Sequence, residues 1–279
     1  MKHFQIDLSE LYPALEGIST PLSAYLPDFS PEVSRLIRRP AVIICPGGGY
    51  QGLSDREGEP LALRLMGQGF QAFVLRYALA PDHHYPTQLY QVAAAMDFVR
   101  SHAAENRTGK TAVMGASAGG HLAAMLATLH TDPGLLRAFG KKAGAFRPDA
   151  AVLSYPVITS KAGLTHGGSI QNISGGDEKI AAFLSLEERV TADTPPCFLW
   201  HTMADDCVPV ENSLMFAAAL RRQGVPFELH IFEQGGHGYS LADFTTDPGN
   251  GLLPNDPHIA RWEKLMVEWL KKRGFDFGD

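Results

Sequence analysis

Residues 111–130 restrict what this chain can fold into more than any other stretch. Thr111-Ala112-Val113-Met114 is a short apolar run, and Gly115-Ala116-Ser117-Ala118-Gly119-Gly120 follows it directly. His121 to His130 then continues with helical composition. A buried strand that ends in a serine-centred glycine turn and opens at once into a helix predicts a strand–turn–helix unit. Glycine two positions before and two after Ser117 suits a turn so tight that side chains there would collide. Such a turn lifts the serine clear of the strand, and the helix start behind it supplies free N–H groups and the positive end of a dipole. Ser117 is therefore the candidate nucleophile. A Gly-Ser turn without chemistry is the bland alternative, and the strand and helix on either side weigh against it.

The same alternation runs through the chain. Strands are expected at Ala41 to Cys45, Gly69 to Tyr77, Thr111 to Met114, Ala150 to Tyr155, Cys197 to His201 and Phe227 to Phe232. Helical segments lie between them, at Gly58 to Met66 and Leu89 to Ala104 among others. Near-continuous apolar strands alternating with helices predict an α/β fold with a mostly parallel sheet covered on both faces. A last helix places Ile259, Trp262, Met266, Trp269 and Leu270 on one face, with Lys271, Lys272 and Arg273 in its last turn and Gly274 as its cap. Residues 159–193 break the alternation and contain two Gly-Gly pairs, so they are expected to form a small, lid-like excursion over the sheet. No linker or repeat divides the chain, and residues 1–279 are read as one domain.

Composition excludes several function classes. A net charge of −6 argues against nucleic acid as a partner, because phosphate binding needs a basic surface. No run approaches the roughly 18 apolar residues of a membrane helix, and the acidic N-terminus has no stretch of signal-peptide length. Three cysteines without CxxC spacing suggest neither a disulfide framework nor a metal site, and Cys45 reads as a core residue. A cytoplasmic enzyme acting on a small molecule is the expectation; the oligomeric state is open.

Acyl transfer needs N–H donors aimed at the developing oxyanion. Pro46-Gly47-Gly48-Gly49-Tyr50 follows an early strand and places such donors within reach, with Gly48 and Gly49 assigned beside Ala118. His237, in Gln234-Gly235-Gly236-His237-Gly238-Tyr239 after a late strand, is the candidate base. His83, His84, His121, His130, His166 and His230 lack a comparable setting. The acid should follow the strand ending at His201, where Asp205 and Asp206 compete. Asp205 fits D-x-x-V-P and is preferred, with Asp206 the runner-up and a loop or cap role its expected one. Tyr50, Trp200 and Tyr239 flank these residues and either line an acyl or sugar pocket or pack.

At these residues the sequence resembles a known family. GASAGGHLA (115–123), PGGGY (46–50), LRYALAP (75–81), YPVI (155–158), TPPCFLWHTMADDCVPVENSL (194–214) and VPFELHIFEQGGHG (225–238) are similar to the acetyl esterase and xylan-esterase-like α/β-hydrolases. The likeness runs from about residue 20 to the end. It implies the α/β-hydrolase fold, removal of acetyl or similarly short acyl groups, often from sugars, and no cofactor. Pro46 departs from the usual His-Gly-Gly-Gly, so one contact that holds this loop is missing. A small peptidase of the prolyl-oligopeptidase type is a second reading of D-x-x-V-P, although that group carries a large extra domain. A binding protein on a hydrolase scaffold is a third, and such proteins typically lose a triad member.

Overall fold

The computed structural model describes residues 1–30, 32, 38–251 and 253–276. Among them one sheet contains β1 Lys2–Asp7, β2 Pro21–Leu26, β3 Arg39–Cys45, β4 Gln71–Leu75, β5 Thr108–Ala116, β6 Ala150–Ser154, β7 Cys197–Thr202 and β8 Phe227–Phe232. Their spatial order is β1-β2-β4-β3-β5-β6-β7-β8. Every pairing from β4 to β8 in that order is parallel, whereas β1 and β2 add an antiparallel edge beside β4. The helices are α1 Glu59–Gly67, α2 Thr87–Ser101, α3 Ala103–Asn106, α4 Ala118–Leu129, α5 Pro133–Phe139, α6 Gly167–Ser174, α7 Glu178–Phe183, α8 Glu211–Arg222 and α9 Arg261–Lys272.

Period-two geometry explains why the strands read as unbroken apolar runs. On β3, Ala41, Ile43 and Cys45 enter one hydrophobic cluster while Val42 and Ile44 enter another on the opposite face. The first is closed by α2, α4 and α8, with Val92, Met96, Leu122, Met125, Phe216 and Leu220. The second is closed by α1 and α9, with Leu61, Leu65, Trp262, Met266 and Trp269. Neither face of β3 meets water, so Ala41 to Cys45 show no polar alternation, whereas the edge strand β8 does alternate, with Glu228 and His230 between its apolar residues. This is the α/β-hydrolase fold, as expected. Gly274 takes φ 78°, and Phe275 N–H bonds the Leu270 carbonyl at 3.1 Å, closing α9 as its sequence predicts.

The structure departs from the sequence reading in one set of elements and at several element ends. The antiparallel strands β1 and β2 were not anticipated. β5 begins three residues earlier than Thr111, and the helix expected to reach Ala104 stops at Ser101. At that break the His102 backbone N–H and its ring Nδ1 both bond the Phe98 carbonyl, at 3.1 and 2.9 Å.

Residues 159–193 fold into α6, α7 and a short 3-10 turn at Leu186–Glu188. Ile173, Leu184, Leu186 and Val190 from this segment join the cluster under α2 and α4. The excursion is therefore anchored in the core. Among the described residues no helix is long and apolar enough to cross a membrane.

Candidate active site

The turn between β5 and α4 holds Ser117 at φ 53° and ψ −120°, a conformation that costs an L-residue energy and needs support. Its N–H bonds the Ser154 carbonyl at 3.0 Å, and its carbonyl accepts from Val157 and His121 at 3.1 and 3.0 Å. A Cβ on Gly115 would stand 2.0 Å from the Gly119 carbonyl oxygen. One on Gly119 would stand 2.0 Å from that of Cys45. The glycines flanking the serine are thus demanded by backbone running against backbone.

His237 lies on the loop after β8, which turns through Gly235 at φ 117° and Gly238 at φ 86°. Its Nε2 stands 2.8 Å from Ser117 Oγ and its Nδ1 2.7 Å from Asp205 Oδ2. Asp205 follows β7, and its side chain is wholly buried. Burial alone would raise its carboxyl. Hydrogen bonds from His201 and His237, the His237 charge and the Val208 amide outweigh it and hold the group well below the usual carboxylate range. Oδ1 accepts the N–H groups of Val208 and Cys207 at 2.8 and 3.0 Å. An ionised Asp205 can only accept, so Nδ1 of His237 carries the proton and Nε2 is left to accept from Ser117. Asp206 is exposed and takes no part in this chain.

Of the glycine loop, Gly47 is committed elsewhere: its N–H donates to Glu57 Oε2 at 2.7 Å. Among the described residues the N–H groups of Gly48, Gly49 and Ala118 have no acceptor. Gly48 adopts φ 134°, and a Cβ there would lie 2.2 Å from the Gly52 carbonyl oxygen. Pro46 offers no side-chain donor, but its carbonyl accepts the Tyr77 hydroxyl at 2.6 Å, which anchors the loop in another way.

The aromatic expectation needs correction. Tyr50 and Trp200 are 0% exposed. The Tyr50 hydroxyl donates to His121 Nδ1 at 2.9 Å, and the other ring nitrogen of His121 donates to the Leu184 carbonyl at 3.0 Å. Burial pushes the His121 imidazole down to about 4, so it stays neutral. Trp200 stacks on Trp262 with ring centroids 4.9 Å apart and donates to Ser154 Oγ at 2.8 Å. Tyr239 is buried in the cluster beneath α9. Trp200 sits on β7 and the two tyrosines on loops folded over the sheet, and all three rings are buried against neighbouring side chains.

Sequence reasoning missed four residues beside the site. His201 Nε2 lies 2.9 Å from the Val208 carbonyl and 3.3 Å from Asp205 Oδ2, so a second imidazole steadies the acid. Tyr155, at φ 36°, sets its ring edge-on to His237 at 5.1 Å. Glu57 is buried at 3% exposure and reaches both Gly47 and Tyr155. His166 caps α6, and its Cε1 would lie 3.7 Å from a Cβ on Gly49. Burial, and then the charge of His237, lower its imidazole. Glu57 did not stand out in the charged stretch Asp55-Arg56-Glu57-Gly58-Glu59, whereas Tyr155 opens the YPVI motif without its role being legible there.

The fold defines the class as α/β-hydrolase. A family model, BD-FAE, matches residues 29–220, and the chain belongs to that family. It is similar to endo-1,4-beta-xylanase B of Butyrivibrio fibrisolvens, with 38% identity over 83% of this chain. It is also similar to the acetylxylan esterase of Xylanibacter ruminicola, with 30% identity over 72% of this chain. These matches span only 36% and 41% of those two proteins. Among solved structures, the acetyl ester-xyloside bifunctional hydrolase of Caldicellulosiruptor lactoaceticus has 35% identity and a TM-score of 0.80 over 98% of this chain and 97% of that one. The carboxylesterase Cest-2923 of Lactobacillus plantarum has 30% identity and a TM-score of 0.86 over both full chains.

Proposed function

We propose that the protein is a serine carboxylesterase that cleaves short acyl groups, acetyl above all, from acetylated sugars or xylo-oligosaccharides. The observation that carries this reading is the unbroken hydrogen-bonded path Asp205–His237–Ser117, at 2.7 and 2.8 Å, beside backbone amides that have no partner among the described residues. His237 Nε2 takes the hydroxyl proton as Ser117 Oγ bonds to the ester carbonyl carbon. The amides of Gly48, Gly49 and Ala118 receive the negative oxygen. Collapse of the tetrahedral species breaks the ester C–O bond, and the imidazolium returns its proton to the leaving alkoxide. Water then attacks the acyl-serine with His237 again as base, releasing the acid and restoring Ser117. The sugar-acetyl preference rests on the names of the similar proteins. Three free cysteines, two of them buried, suit a cytoplasmic setting.

Two measurements test this. Ser117→Ala should abolish turnover of 4-nitrophenyl acetate while leaving the melting temperature within a few degrees, and a variant that keeps most of its activity would refute the nucleophile. A series of nitrophenyl esters from acetyl to octanoyl, followed by acetylated xylo-oligosaccharides, should show turnover falling steeply with chain length. Equal use of octanoyl esters would move the protein to a lipase-like class.

A further inference from the structure

Glu57 is a carboxylate placed where the chemistry described so far does not require one. It ends the 3-10 turn Asp55–Glu57 and is 3% exposed, yet none of its hydrogen-bond partners is a cation. One oxygen accepts the Gly47 N–H at 2.7 Å, at the root of the loop carrying Gly48 and Gly49. The other accepts the Tyr155 hydroxyl at 2.7 Å. That hydroxyl in turn accepts the Ser240 N–H at 3.0 Å, three residues beyond His237. The turn grips the histidine loop twice more. The Arg56 guanidinium donates to the Gly238 carbonyl at 3.0 Å, and Ser240 Oγ donates to the Arg56 carbonyl at 2.7 Å. Both joined residues are held at positive φ, Tyr155 at 36° and Ser240 at 52°. An L-residue keeps such a backbone only when its surroundings impose it.

We infer that Glu57 is a positioning residue that locks the candidate oxyanion loop and the His237 loop to each other through Tyr155, so that donors and base hold one spacing during turnover. This rests on the serine esterase reading above. The physical reason for a carboxylate is specific. Glu57 must accept on both oxygens, because Gly47 offers a backbone N–H and Tyr155 must spend its one proton while its lone pair takes Ser240. A glutamine has one accepting oxygen. If that oxygen faces Gly47, its NH2 meets the Tyr155 hydroxyl, whose own proton then has no acceptor. Misplacement by about 1 Å far from the reacting atoms can cost roughly 10²-fold in rate, while substrate affinity changes little.

The test uses the purified full chain with Glu57→Gln, Tyr155→Phe and the double variant. Competent sites are counted by stoichiometric nitrophenol release from a nitrophenyl phosphate triester, so unfolded protein does not dilute the rate. Per titrated site on 4-nitrophenyl acetate, kcat should fall about 10- to 100-fold in Glu57→Gln with KM within about threefold. Tyr155→Phe keeps the ring against His237 and should lose about 10-fold. The double variant should be no worse than Glu57→Gln, because both cuts sever one chain. A purely structural role would lower the melting temperature and the number of titrated sites and leave kcat per site unchanged; that result overturns the inference, as do losses that multiply in the double variant. Should Glu57→Gln fail to fold, Tyr155→Phe decides alone, and wild-type kcat per site there is equally fatal. A wild type that hydrolyses no ester, or a Ser117→Ala variant that does, sinks the esterase reading instead, so the two failures are distinct.

Discussion

At the scale of single residues, two adjacent aspartates part company because of what their oxygens meet. Asp205 is inside, with both oxygens accepting, and Asp206 is outside. Asp205→Asn puts an amide where His237 Nδ1–H needs an acceptor. That frees the imidazole to take the wrong tautomer and withdraws support from its cation, so turnover should fall by about 10⁴-fold, by analogy with serine-protease triads. Asp206→Asn should stay within about threefold of wild type, since it removes only an exposed charge. The pair is assayed on one acetyl ester after circular dichroism has confirmed folding, and a reversed order would exchange their roles. Asp205 also makes stability depend on pH. Its folded value lies below the ordinary 3.8, so its contribution is complete above that value and drains away as pH falls through the depressed one. The stability gap between wild type and Asp205→Asn, measured by urea unfolding, should therefore narrow from about pH 6 to about pH 2. A constant gap contradicts an ionised acid.

At the scale of elements, glycines divide by what surrounds them. Gly119, in the first turn of α4, faces the carbonyl oxygens of Cys45 and Pro46 at 2.0 and 2.4 Å from an added Cβ. Neither is a flexible side chain, so Gly119→Ala must push α4 away from the glycine loop, and loss of soluble protein or a melting temperature far below wild type is expected. Gly67, at the end of α1, has nothing within 4 Å of an added Cβ. Gly67→Ala should be neutral or add up to about 1 kcal/mol, because alanine loses less backbone entropy in a helix. Two thermal melts check both, and equal destabilisation would mean that the elbow is not so closely packed. The spacing of glycines around Ser117 predicted a tight turn, but not that Cys45, some seventy residues upstream, forms its wall.

At the scale of the whole molecule, β1 and β2 complete the sheet where sequence periodicity said nothing. β1 is largely exposed, while Leu22, Ala24, Tyr25 and Leu26 of β2 are buried against β4. Deleting residues 1–26 would bare the β4 edge together with that apolar surface, and aggregation during expression is the expected outcome; a soluble, monomeric truncation with wild-type melting behaviour would contradict it. The sequence by itself determined what depends on near neighbours along the chain: apolar runs too continuous for a half-wet sheet, a glycine-bracketed serine between strand and helix, and a histidine on a glycine loop after a late strand. Tertiary structure alone decided which amide is already spent on Glu57 and that Tyr50 and Trp200 are walls of the core. The reason is physical. Strand and helix periods and turn sterics act over a few residues and leave their mark in local order. A hydrogen bond between Ser117 and His237, or between Glu57 and Tyr155, joins groups 120 and 98 residues apart, and only the packing of helices on both faces of the sheet sets that distance.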